Sequence, residues 1–128
     1  MAKGTELGRV RGLGSAHHGA GHWMKQRFTA VGNLVLVSFL VVSLALLPSY
    51  DYATMRNWVS GTLTALALAL LIVSVFWHAR LGLQVLIEDY VDHTGNRFAV
   101  ITLLNLATAG GAMFGLISLA RIALTGAA

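Results

Sequence analysis

The sequence has no cysteine and few charged residues. Without cysteine, disulfides, cysteine-ligated zinc, iron–sulfur clusters held by this chain and covalently attached c-type haem are all excluded. Only 11% of the 128 residues are charged, whereas a soluble domain normally carries about 25%. With 56% hydrophobic residues and a mean hydropathy of +0.71, the chain has too little charge to cover a water-soluble surface. This composition argues against a soluble all-α domain.

Long apolar segments take up most of the chain. Three of them contain no Asp, Glu, Lys or Arg, and they cover residues 28–50, 57–79 and 98–120. Each would be about 34 Å long as a helix, which suits a hydrocarbon core of about 30 Å. Because lipid cannot satisfy an open backbone, the sequence predicts an all-α integral membrane protein with three transmembrane helices. The second helix is expected to extend toward residue 90, and the single proline, Pro48, can end the first.

The N-terminal segment differs from the rest in its six glycines within 21 residues. It follows neither a helical nor a strand period, and it contains no apolar stretch typical of a secretory signal peptide. We therefore expect an irregular arm over residues 1–26, followed by one membrane domain over residues 27–128.

Basic residues are distributed unequally around the apolar segments. One side of the membrane would hold seven of them (Lys3, Arg9, Arg11, Lys25, Arg27, Arg80 and Arg97) and the other side only Arg56 and Arg121. This bias predicts a cytoplasmic N-terminus and a cytoplasmic 80–97 loop. Orientation in a membrane explains the net charge of +4, and we expect no nucleic-acid partner.

Small residues recur at helical spacing on two of the predicted spans. They are Ala107, Gly111 and Gly115 on the third span, and Gly61, Ala65 and Ala69 on the second. Small residues on one face allow helices to approach closely in lipid. The pattern fits packing of the three helices against each other and packing against a second membrane protein equally well.

His78 is the most informative polar residue, because a titratable side chain inside a membrane helix is costly and is by default a functional candidate. Imidazole can ligate haem iron through one ring nitrogen. Ser74 and Gly82 share its helical face, and a glycine one turn away would let a flat macrocycle approach the backbone. The alternative is an interfacial histidine that reaches toward water, and the position alone leaves both interpretations open.

Tyr90 follows His78 by twelve residues, or about 18 Å if the helix continues. A neutral phenol at the membrane boundary can donate a hydrogen bond to a carbonyl oxygen. The adjacent Asp89 is a candidate to orient the phenol or to relay protons. On spacing alone, an ordinary interfacial tyrosine beside acidic loop residues is the more common arrangement.

Arg27 opens the first span, where a guanidinium matches carboxylates or anionic headgroups but is also a common membrane anchor. The nearby His17, His18 and His22 do not indicate a metal site, because no carboxylate or cysteine accompanies them. No nucleophile–base pair, carboxylate pair or phosphate loop is present, so the chain alone does not resemble a complete enzyme.

Two blocks of the sequence, at about residues 15–30 and 78–91, resemble the hydrophobic membrane-anchor family of bacterial succinate dehydrogenase, respiratory complex II. The matching segments are Gly14-Ser15-Ala16, His22-Trp23, Gln26-Arg27-Phe28-Thr29-Ala30, His78-Ala79-Arg80-Leu81-Gly82-Leu83-Gln84-Val85 and Glu88-Asp89-Tyr90. The block from His78 to Tyr90 is the more specific, because both spacing and residue types must agree.

The resemblance implies a role for each matching residue. His78 corresponds to an axial ligand of a b-type haem, and hence to an iron ligand, with Gly82 where the haem approaches. Arg27 corresponds to the arginine near the haem propionates, and Tyr90 with Asp89 to the quinone-binding residues. His93 matches no motif of the family.

The resemblance also implies a non-catalytic anchor subunit of a quinone-reducing oxidoreductase in the bacterial inner membrane, within the tricarboxylic acid cycle and the respiratory chain. Its helices would form a bundle with a second, cytochrome b-type membrane anchor, which supplies the other haem ligand. Electrons would pass from a flavoprotein subunit through an iron–sulfur subunit to ubiquinone or menaquinone. Anchors of fumarate reductase share these features.

Two other functions compete with this interpretation. A small transporter subunit would be expected to place a charged residue near mid-membrane, and all three predicted span centres lack charge. A haem-free structural anchor would share every feature except the requirement for His78 and Tyr90.

Overall fold

The computed structural model describes residues 5, 7 and 19–125. Within these residues the chain forms four helices: α1 (Gly19–Ala45), α2 (Tyr52–Ser60), α3 (Thr62–Tyr90) and α4 (Thr94–Thr125). α1, α3 and α4 are long and apolar enough to cross a membrane. This confirms the predicted all-α membrane fold with three spans.

The three long helices form a layer with α3 in the middle. α3 packs against both α1 and α4, whereas in the described part of the chain α1 and α4 do not pack against each other. The helices alternate in direction, so the start of α1, the end of α3 and the start of α4 share one end of the layer. We call this the proximal end, and the end that carries α2 the distal end.

Few side chains are buried within this layer. Among the described residues the buried ones are Leu40, Thr64, Ala67 and Leu81. Large apolar side chains such as Phe28 and Phe114 are at least three-quarters exposed, at 81% and 75%. Such surfaces are stable in contact with lipid or with another membrane protein but not with water.

The first helix is displaced from the span predicted at residues 28–50. α1 begins at Gly19, so the last residues of the predicted arm are helical, and it ends at Ala45. Pro48 explains the early end, because proline disfavours helical backbone in the residue before it and lacks an N–H for helix continuation. Apart from residues 5 and 7, the arm before Gly19, including His17 and His18, lies outside the described residues.

The second predicted span divides into two helices at Gly61. Asp51 caps the N-terminus of α2 by accepting a hydrogen bond from the Thr54 backbone N–H at 2.8 Å. The pKa of Asp51 is lowered, mainly by a hydrogen bond from the Ser49 hydroxyl and also by the one from the Thr54 backbone N–H. Gly61 then turns the chain with φ −59° and ψ 132°, and α3 starts at Thr62. A charge-free segment cannot reveal such a break, because the break depends on backbone angles.

α2 forms hydrogen bonds with both α1 and α4 at the distal end of the layer. Trp58 donates its indole N–H to the Ser43 hydroxyl of α1 at 3.3 Å. Arg56 donates from Nη2 to the carbonyl of Thr125, the last residue of α4, at 2.7 Å. A cation at a helix C-terminus satisfies a free carbonyl and is favoured by the helix dipole.

The small residues of α4 pack against large residues of α3 within the same chain. A Cβ built on Gly111 would lie 2.5 Å from Phe76 Cε1, and one built on Gly115 would lie 3.2 Å from Ile72 Cγ2. Of the two uses compatible with the sequence pattern, this face therefore serves packing between α3 and α4.

Gly111→Ala should loosen this packing, whereas Gly110→Ala should not. Gly110 is the matched control because nothing lies within 4 Å of its ideal Cβ. Both variants gain the same helix propensity, so their difference reports overpacking against Phe76, which we expect to cost about 1–3 kcal/mol. Thermal unfolding of the chain in detergent micelles measures it, and equal melting temperatures would contradict the packing described here.

Candidate functional site

His78 lies half-buried between α3 and α1, where both of its ring nitrogens contact α1. Its Nδ1 lies 3.0 Å from the Thr29 hydroxyl oxygen. Its Nε2 lies 3.4 Å from Nε2 of Gln26. The ring is therefore held by a neighbouring helix and does not extend along α3 toward the membrane surface, as a purely interfacial histidine would.

A row of polar residues on α1 makes these contacts possible. His22, Gln26, Thr29 and Asn33 follow each other at spacings of four, three and four residues, which places them on one face of a helix. We call these four residues, with Ser74 and His78 of α3, the polar seam. Ser74 extends it toward mid-membrane by donating to the Thr29 carbonyl at 3.5 Å.

The polar seam has unused hydrogen-bonding capacity. Three of its buried atoms have no hydrogen-bond partner among the described residues: His22 Nε2, Gln26 Oε1 and Asn33 Oδ1. Buried polar atoms are nearly always satisfied, and leaving one unsatisfied in an apolar surrounding is costly. The seam can therefore accept an additional polar partner next to His78.

Two cavities open beside the seam at the proximal end. One, of ≈ 680 Å³, is lined by His22, Gln26, Gly82 and Glu88, among others. The other, of ≈ 620 Å³, is lined by apolar side chains together with Lys25, Arg27 and Thr29. His78 itself lines neither of these two cavities. Sequence resemblance predicted that Arg27 and Gly82 contact the same haem. In the structure they line different cavities.

Gly82 keeps its cavity open beside the seam. An ideal Cβ at this position would lie 3.3 Å from Gln26 Nε2, tighter than ordinary van der Waals contact. A larger residue would displace the Gln26 amide that contacts His78. The glycine therefore allows α1 and α3 to approach at the level of the histidine.

Arg27 lies at the proximal end, with its guanidinium carbon 5.3 Å from the centre of the Trp23 ring. This distance is within the range of a cation–π interaction. Among the described residues no carboxylate or carbonyl accepts a hydrogen bond from Arg27. Its N–H groups are available for an anionic partner, such as a carboxylate.

Tyr90 and Asp89 are separated from His78 along α3. Tyr90 is the last residue of the helix, and its side chain is 80% exposed. In residues 19–125 no side chain or backbone group forms a hydrogen bond with the Tyr90 hydroxyl. The Tyr90 hydroxyl is therefore open to a partner from outside residues 19–125.

Two further polar side chains had no predicted role, although Thr29 lies within one of the matching segments. Thr29 contacts His78 directly, and Asn105 of α4 accepts a hydrogen bond from Arg80 Nε at 2.6 Å. A polar residue within an apolar span was the available signal for both. His93 is exposed in the turn between α3 and α4 and contributes nothing to the polar seam.

Three known proteins similar to this chain carry the same name. The chain is similar to proteins named succinate dehydrogenase hydrophobic membrane anchor subunit. The one from Rickettsia bellii is 32% identical over 89 residues, covering 69% of this chain and 70% of the relative. Those from Rickettsia conorii and Coxiella burnetii are 28% and 27% identical, covering 80% and 75% of this chain and 82% and 84% of the relatives. No solved structure matches the chain significantly.

A family model, described as succinate dehydrogenase/fumarate reductase transmembrane subunit, matches residues 1–114. This range includes α1 to α3 and more than half of α4, with the polar seam and Tyr90. The chain belongs to the family of succinate dehydrogenase/fumarate reductase transmembrane subunits.

Proposed function

We propose that this chain is a membrane-anchor subunit of a succinate:quinone oxidoreductase, that His78 would hold the iron of a b-type haem, and that Tyr90 binds the quinone. The observation that carries the proposal is His78 held at both ring nitrogens between two transmembrane helices. A membrane protein places an ionisable side chain in this position for a function.

The residues around His78 fit a haem. The His78 imidazole would supply a nitrogen ligand to the iron, and the Gln26 amide beside it has an Oε1 that is buried without a partner among the described residues. The two residues that contact His78 each line a cavity: Gln26 lines the one of ≈ 680 Å³, and Thr29 lines the one of ≈ 620 Å³. Lys25 and Arg27 border the second cavity, where they could bind two propionates. When bound, the haem would accept and release one electron at a time.

A histidine of a second, cytochrome b-type membrane anchor would supply the other ligand of the haem iron in the proposed complex. The open layer supports this arrangement, because the faces of α1 and α3 beside the polar seam are largely exposed. A partner helix on this side would bury the two cavities and Phe28. It would thereby complete a bundle around the site.

Tyr90 would serve the quinone from the proximal end. Its exposed hydroxyl can donate a hydrogen bond to a quinone carbonyl, where negative charge develops during reduction. Asp89 precedes it in the last turn of α3 and is also exposed. The iron–sulfur subunit, docked at the proximal end and supplied with electrons by the flavoprotein, would close the site and deliver electrons from succinate.

The proposed orientation places the proximal end in the cytoplasm and the distal end outside the bacterial inner membrane. The described basic residues Lys25, Arg27, Arg80 and Arg97 lie toward the proximal end, against Arg56 and Arg121 toward the distal end. Basic residues concentrate on the cytoplasmic side of membrane helices. The quinone site would then face the compartment that contains succinate.

Purification of the tagged chain from its native membrane, in mild detergent, tests the proposal. We expect three further polypeptides, a b-type signal in the reduced-minus-oxidised optical spectrum, and succinate-dependent quinone reduction. A complex that reduces quinone without any haem signal would leave the chain as a structural anchor and would refute the role given to His78.

A further inference from the structure

We infer that Thr29 is a positioning residue for His78. Its hydroxyl fixes the imidazole in the tautomer whose Nε2 has the free electron pair that an iron atom requires. The inference rests on the proposed function, in which His78 is a haem ligand. In this inference α1 contributes a residue to the haem site, although it supplies no ligand to the iron.

The direction of the Thr29 hydrogen bond follows from its other contacts. The hydroxyl oxygen lies 3.0 Å from the Lys25 carbonyl and 3.0 Å from the Gln26 carbonyl. A threonine hydroxyl inside a helix donates its single hydrogen to such carbonyls of the preceding turn. With that hydrogen used, the oxygen can only accept from His78 Nδ1 at 3.0 Å, so Nδ1 carries the proton.

The contact on the opposite side of the ring agrees with this assignment. A neutral imidazole protonated at Nδ1 has an acceptor at Nε2. The group next to Nε2 is the amide nitrogen of Gln26, which is a donor, at 3.4 Å. Both neighbours on α1 therefore select the same tautomer.

Of the two contacts with His78, the one from Thr29 is stronger than the one from Gln26. A strong contact at Nδ1 and a weak one at Nε2 are what an iron ligand that binds through Nε2 needs. A separation of 3.0 Å is an ordinary hydrogen bond, whereas 3.4 Å is at the long limit. Gln26 also lines the cavity of ≈ 680 Å³, so its amide has space to rotate away from Nε2. Thr29 would hold the imidazole ring in place, while the iron would displace the Gln26 amide from Nε2.

The hydroxyl would also tune the ligand. Histidines that bind a metal usually donate their other N–H to an acceptor, which fixes the ring and raises its basicity. Loss of that acceptor makes the imidazole a weaker donor, which destabilises the ferric state relative to the ferrous state. Removal of the Thr29 hydroxyl should therefore raise the midpoint potential of the haem and weaken its retention.

Thr29→Val tests this in the purified complex, with Thr108→Val as the matched control. Thr108 makes the same contacts to its own helix, with the Leu104 carbonyl at 2.8 Å and the Asn105 carbonyl at 3.2 Å, but none to a histidine. We expect Thr29→Val to bind haem about 10- to 100-fold less tightly, with an upward shift of the midpoint potential in a redox titration. Thr108→Val should match the wild type in both.

Thr29→Ser keeps the hydroxyl and removes only a methyl group, so it should restore the wild-type potential and haem content. If Thr29→Val does not assemble, Thr29→Ala and Thr29→Ser are compared in the same titration. Equal potentials and haem content in the hydroxyl-free and hydroxyl-bearing variants would overturn the role of Thr29. A wild-type complex without haem would instead refute the haem-ligand role proposed for His78, so the two failures are distinguishable.

Discussion

Replacing His78 with alanine should remove most of the b-type haem from the purified complex. The substitution deletes the imidazole of α3 that α1 holds at both ring nitrogens. Loss of a hydrogen-bond partner of a ligating histidine typically costs about 10- to 100-fold in affinity, so loss of the ligand itself should cost at least about 100-fold. The ratio of haem to protein, from the reduced-minus-oxidised spectrum, measures the effect.

His93→Ala provides the control for the His78 experiment. His93 is exposed in the turn between α3 and α4, so its removal leaves the polar seam intact and should not change the haem content. Both variants should still assemble with the other subunits, because His78 contacts α1 through only two hydrogen bonds. A haem content that is unchanged in His78→Ala, or equally reduced in both variants, would mean that another residue is the ligand.

The transmembrane helices could be predicted from the sequence because their requirement is compositional. Lipid excludes charge and forces internal hydrogen bonding, so long segments without charged residues must be helices. The ends of the helices were less predictable. α1 ends at Ala45, five residues before the predicted limit, and α2 occupies a segment that was expected to be partly loop and partly span. Those ends depend on Pro48, Asp51 and Gly61, whose effects on the backbone are local and cannot be read from hydropathy alone.

The candidate site could be predicted only in part, for a related reason. His78 was identifiable because a polar residue in a span is costly wherever it points. Its contacts with Gln26 and Thr29 depend on the register of α3 against α1, which residue spacing along one helix does not determine. In the same register Arg27 and Gly82 line different cavities, although both were predicted to contact the haem.

Replacing Tyr90 with phenylalanine should lower the rate of quinone reduction by about 100-fold and leave the haem spectrum unchanged. The substitution removes one hydroxyl from an 80% exposed side chain, so the helix and its packing are not disturbed. The hydroxyl would donate to a carbonyl oxygen that gains negative charge, and removal of one such donor costs about 100- to 1,000-fold in rate. Steady-state assays with succinate and a soluble quinone measure the turnover number.

Tyr52→Phe is the matched control, because Tyr52 is similarly exposed, at 79%, but lies in α2 at the distal end. It should keep the wild-type turnover number. In both variants, succinate oxidation by an artificial electron acceptor that bypasses quinone should be unaffected, which separates a defect in quinone reduction from a defect in assembly. Full quinone reductase activity in Tyr90→Phe would exclude Tyr90 from the mechanism while leaving the His78 assignment intact. A selective loss in Tyr90→Phe would place quinone reduction at the proximal end of α3, about 18 Å along the helix from His78, the proposed haem ligand.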